Sequence, residues 1–102
     1  MRAAEAWLRA RTGSAPEALV REMVAALPPG DEPIPEALAA AALALYARIS
    51  DSGGGREDAL PLLAADALFT HAFEAQAGTD AGRLGEVAER WGAAGRLGEV
   101  AR

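Results

Sequence analysis

The chain of 102 residues contains no cysteine, no lysine and no asparagine. The absence of cysteine excludes disulfide bonds, thiolate metal ligands and a cysteine nucleophile. Large apolar residues are also few: Val, Ile, Leu, Met, Phe, Trp and Tyr together number 25, against 27 alanines. Because alanine is the best helix former but buries little area, the sequence predicts a thin core in which helices pack closely across small side chains.

Clustered positive charge is missing as well. Ten arginines are spread from Arg2 to Arg102, and the formal net charge is −5. A nucleic-acid interface needs concentrated basic side chains, and so does a helix on an anionic membrane surface, so neither partner is expected. No apolar run approaches the roughly 20 residues that span a bilayer, and residues 1–11 lack the apolar segment of a signal peptide. We expect a cytoplasmic protein.

The first half of the chain predicts two short helices. The first spans residues 2–11, with Gly13 as its C-terminal stop. Ser14 is predicted to cap the second helix, because Ser14 and Glu17 have the spacing of a capping box, in which each side chain satisfies the other's exposed backbone N–H. Two prolines and Gly30 end this helix.

A third helix is predicted from Pro35, because proline suits the first helical position. No charged residue occurs from Ala37 to Ala47. One apolar face is formed by Leu38, Ala42, Leu45 and Ile49. A helix that is apolar nearly all round is usually buried, so we expect this helix at the centre. Residues 50–55, which end in three glycines, predict a flexible connector; no Gly-Lys-Ser/Thr follows, as a phosphate-binding loop requires.

A fourth helix is predicted from about Asp58 to Ala77. Asp58 is its expected N-cap, Gly78 its expected stop, and Thr79 the expected cap of a fifth helical segment. Together the patterns predict an all-α fold: a single helical domain, residues 1–102, built as a compact bundle of four to five helices.

The last part of the chain contains an internal repeat. Ala-Gly-Arg-Leu-Gly-Glu-Val-Ala occurs at 81–88 and again at 94–101. On one continuous helix the offset rotates the second copy by about 220°, so either the helix breaks near Gly92 to Gly95 or the copies face different surfaces. The first copy predicts a core-facing stripe of Leu84, Val87, Ala88 and Trp91. Residues 94–102 are expected to be frayed or ordered only by a partner chain.

The fourth helix holds the candidate site residues. Its strongest apolar cluster predicts core, interface or an apolar groove and consists of Leu62, Leu63, Phe69 and Phe73. A polar row on the same helix is either a solvated face or lies between subunits, and consists of Asp66, Thr70, His71 and Glu74.

Residues for catalysis or metal binding are not indicated. His71 is the only histidine, and it has a single Glu74 at helical spacing, whereas zinc needs three or four converging ligands. The serines have no histidine at a suggestive spacing, so no hydrolase triad is predicted. We expect no catalytic residue, no metal and no cofactor.

The segment Leu-Leu-Ala-Ala-Asp-Ala-Leu-Phe-Thr-His-Ala-Phe-Glu at 62–74 resembles a helix of the all-α trans-isoprenyl (polyprenyl) diphosphate synthases, with the likeness covering about residues 60–76. The two aspartate-rich motifs of that family, which bind magnesium and the substrate diphosphate, have no counterpart, since no Asp-Asp pair occurs. In that family the matching region contributes to subunit packing, and some heteromeric members have a small non-catalytic partner subunit. The resemblance therefore implies an association helix.

By exclusion, the sequence predicts a non-enzymatic helical protein-protein interaction module that self-associates, as a homodimer, or binds a helical partner. One alternative is a non-catalytic partner subunit, or a relic, of an isoprenyl diphosphate synthase. A second alternative is a small apolar-ligand binder with a cleft between the third and fourth helices.

Overall fold

The computed structural model describes residues 2–92 and 95–100. Within them lie six α-helices: α1 (Ala3–Arg11), α2 (Glu17–Ala25), α3 (Ile34–Ser52), α4 (Ala59–Asp80), α5 (Leu84–Trp91) and α6 (Arg96–Val100). Two 3-10 turns, Arg56–Asp58 and Ala81–Arg83, precede α4 and α5. The described residues include no strand, so the predicted all-α bundle is confirmed.

A hairpin of α3 and α4 forms the centre of the bundle, and these two helices make the most extensive contact in the molecule. Their buried apolar side chains are mostly small. On α3 these are Ala37, Leu38, Ala39, Ala41, Ala42, Leu43 and Leu45. On α4 they are Ala64, Ala65, Leu68, Ala72 and Ala75. The third helix is therefore the buried central helix that its apolar pattern predicts.

Three shorter helices, α1, α2 and α5, cover this hairpin with one or two large buried side chains each. Leu8 of α1 and Met23 of α2 are buried, and α5 contributes Val87 and Trp91. Arg2 joins the ends of two of these helices, because its Nη1 donates to the backbone oxygens of Leu27 and Pro28, both at 3.0 Å. A guanidinium at these carbonyls also complements the negative end of the α2 dipole.

The predicted capping box at Ser14 is wrong. α2 begins at Glu17, after Pro16, with no side-chain hydrogen bond at its N-terminus. Proline disfavours the helical conformation in the residue before it, so the helix cannot extend back to Ser14. The hydroxyl that makes a hydrogen bond in this region belongs to Thr12, at the end of α1. Thr12 is buried, and its Oγ1 donates to the backbone oxygen of Leu8 at 2.9 Å.

The connector between α3 and α4 is shorter than predicted. α3 continues through Ser52. Gly53 then ends the helix with a φ of 91°, a conformation that glycine adopts without steric cost. Asp58 precedes α4 as predicted, but its carboxylate accepts from Ser52 and from the backbone N–H of Gly54 rather than from α4.

The predicted stop at Gly78 is also wrong, because α4 runs on to Asp80. Thr79 does not cap the next segment; its Oγ1 donates back to the oxygen of Ala75 at 2.8 Å. Asp80 takes the capping role, since its carboxylate accepts from the N–H of Gly82 at 3.1 Å. The side-chain amide of the buried Gln76 donates to the backbone oxygen of Asp80 at 3.0 Å, so the last turn of α4 forms although glycine costs roughly 1 kcal/mol inside a helix.

The repeat lies across a helix break, the first of the two arrangements that its geometry allows. α5 ends at Trp91, and α6, within the second copy, contacts α3 and α5. A Cβ on Gly95 would lie 2.1 Å from the backbone oxygen of Arg90, so the break between α5 and α6 requires glycine at this position. Ala88 is exposed rather than core-facing. Residues 94, 101 and 102 lie outside the described residues.

Candidate functional site

Three leucines at the start of α4 are exposed to solvent. Leu60, Leu62 and Leu63 are 39%, 44% and 55% exposed, and together we call them the leucine patch. Between and after them, Pro61 and Ala64 are buried against the rest of the bundle. The inward side of α4 is thus occupied by small residues, which leaves the leucines on the surface.

Phe69 and Phe73 do not belong to the leucine patch. Both are partly buried and packed against the core. Their rings stack with centroids 5.9 Å apart, and the ring of Phe73 meets that of Trp91 edge to face at 5.3 Å. Trp91 is completely buried. We call these three side chains the aromatic cluster. The ring of Trp91 occupies space beside Phe69 and Phe73, where one of the alternative predictions places an apolar groove.

Asp66, the first residue of the polar row, connects α4 to α3. The hydroxyl of Tyr46 donates a hydrogen bond to Oδ1 of Asp66. Burial raises the pKa of Tyr46, and the hydrogen bond to Asp66 and its negative charge raise it further. The phenol is therefore held in its neutral form, and the pair acts as a clasp between the two central helices.

Thr70 and Glu74 continue the polar row on the outer surface of α4. Both residues are exposed. Thr70 Oγ1 donates back to the backbone oxygen of Asp66 at 3.1 Å, a bond within its own helix. Thr70 and Glu74 are therefore solvated in the single chain.

His71 and Glu74 take part in a contact with α1. His71 Nδ1 lies 3.0 Å from Glu74 Oε1, and Arg11 Nε lies 3.6 Å from the same oxygen. The Arg11 guanidinium stacks 3.9 Å over the ring of Trp7, and that ring is edge-on to His71 at 5.9 Å. These contacts fasten α1 to the C-terminal half of α4.

Sites for a metal or for a small ligand are limited. In the described part of the chain, no group of three or more His, Asp and Glu side chains is placed to hold a metal ion. A cavity of about 60 Å³ lies between Arg2, Pro28, Asp31 and Ala37, and no residue of the aromatic cluster lines it. Ligand pockets typically measure about 300–1,000 Å³, so this cavity has room for a few water molecules only.

Among residues 2–92 and 95–100, no helix combines the length and the apolar character needed to cross a bilayer.

Two residues of the site escape prediction from the sequence. Leu60 is part of the leucine patch. It lies three residues before Leu63, a spacing that places two residues close together on a helix surface and that could have identified it. Tyr46 is the partner of Asp66 at a separation of 20 residues, which no local pattern encodes. The pairing depends on how the α3–α4 hairpin is closed.

Comparisons with protein-family models, curated proteins and solved structures find no match. The resemblance of residues 60–76 to the isoprenyl diphosphate synthases therefore stays a prediction.

Proposed function

We propose that the protein is a non-enzymatic helical interaction module that associates with a second copy of itself through the leucine patch. The observation that carries the proposal is the exposure of Leu60, Leu62 and Leu63, which share one end of α4. Large apolar residues number only 25 in the chain, and three of those that the structure describes are exposed to solvent. Neighbouring exposed apolar side chains are typical of interaction sites.

The chemistry of α4 supports a binding role rather than a catalytic one. Paired catalytic carboxylates need a cleft and a perturbing neighbour. Asp66 is engaged by Tyr46, and Glu74 by Arg11 and His71. The hydrogen bond of Asp66 connects α4 to α3, and the ion pair of Glu74 with Arg11 connects α4 to α1.

The size of the patch indicates how strong the association is. Burying the exposed half of a leucine is worth about 1 kcal/mol, so six leucines from two copies contribute roughly 6 kcal/mol, whereas association costs an estimated 4–15 kcal/mol. The leucine patch alone supports weak association, and a stable pair needs contacts that extend beyond it.

The double substitution Leu62→Glu with Leu63→Glu tests this function. Both side chains are exposed, so the fold and its helicity are expected to be unchanged. Association should weaken by at least about 30-fold, since loss of an interface anchor costs about 2 kcal/mol or more. Light scattering after size exclusion measures the mass, and circular dichroism measures helicity and thermal stability.

A matched control places the same two negative charges elsewhere. Ala6 and Ala10 are exposed on α1, and Ala6→Glu with Ala10→Glu should leave the mass of the assembly unchanged. If the leucine variant keeps the mass of the wild-type assembly, or if the control loses it equally, the leucine patch is not the association surface.

A further inference from the structure

We draw no further inference here: the strongest candidate, the exposed face of α4 around the leucine patch, belongs to the association surface already proposed, and nothing in the described part of the chain shows what covers it.

Discussion

The indole ring of Trp91 meets the phenyl ring of Phe73 edge to face, with 5.3 Å between their centroids. Phe69 adds a second aromatic neighbour, 6.5 Å from Trp91. Trp91 is the largest completely buried side chain, and through it α5 is attached to α4. Aromatic pairs of this geometry contribute about 0.5–1.5 kcal/mol beyond the area that they bury.

Trp91→Ala is expected to lower the free energy of unfolding by about 3–5 kcal/mol, because it empties the largest site in the core. Trp7→Ala is the matched control. Because Trp7 is only partly buried, this substitution should lower the free energy of unfolding clearly less. Urea unfolding followed by circular dichroism measures both. A loss below about 1 kcal/mol for Trp91→Ala would show that α5 does not depend on the aromatic cluster.

The fold class and the central position of α3 could be predicted because both depend on the period and breadth of the apolar pattern. Helix ends could not, since competing local signals decide them. Ser14 and Glu17 have the spacing of a capping box, yet Pro16 between them prevents the helix from starting earlier. Glycine is a frequent stop signal, yet α4 continues through Gly78 to Asp80, whose backbone oxygen accepts a hydrogen bond from the side-chain amide of Gln76.

The candidate site was predictable only in part. The sequence selected α4 and its residues, but it grouped Leu62 and Leu63 with Phe69 and Phe73. Which of these residues are buried depends on what covers each side of α4. Trp91, 18 positions after Phe73 in the chain, covers the side with the two phenylalanines. Among the described residues nothing covers Leu63 to the same extent, and its side chain stays 55% exposed. Tertiary contacts of this kind have no local signature.

Alkaline titration of Tyr46 tests its clasp to Asp66. Tyr46 is the only tyrosine, and lysine and cysteine are absent, so tyrosinate absorbance reports this group alone. Burial and Asp66 raise its pKa in the folded state above the ordinary value near 10. Its contribution to stability is therefore fully present below about pH 10 and is lost as the pH rises through the folded-state pKa.

Asp66→Asn should bring the titration midpoint of Tyr46 down while leaving it above the ordinary value, because burial of the ring remains. Identical midpoints for the wild type and Asp66→Asn, both at the ordinary value, would contradict the clasp.

The two hydroxyls near the start of α2 should differ in their effect on stability. Thr12→Val removes a buried hydrogen bond to Leu8 and should cost about 1 kcal/mol. Ser14→Ala removes no capping bond and should change the free energy of unfolding by less than about 0.5 kcal/mol. Thermal or chemical unfolding measures the stability of the two variants. A larger loss for Ser14→Ala than for Thr12→Val would show that Ser14 does cap α2.

Two glycines should respond in opposite ways to alanine. Gly78 lies inside α4, and an added Cβ meets nothing within 4 Å, so Gly78→Ala should stabilise the protein by about 0.5–1 kcal/mol. Gly95→Ala should destabilise it, because its Cβ would lie 2.1 Å from the oxygen of Arg90. A loss of stability in Gly78→Ala would instead indicate a helix that ends at Gly78, as the sequence alone suggested.

Self-association through the leucine patch is tested most directly by sedimentation equilibrium of the unmodified protein, from micromolar to near-millimolar concentration. The chain has a mass of 10.5 kDa. The expected result is an average mass that rises with concentration from this value towards twice this value, with the increase abolished by Leu62→Glu and Leu63→Glu. A constant mass of 10.5 kDa at every concentration would contradict it.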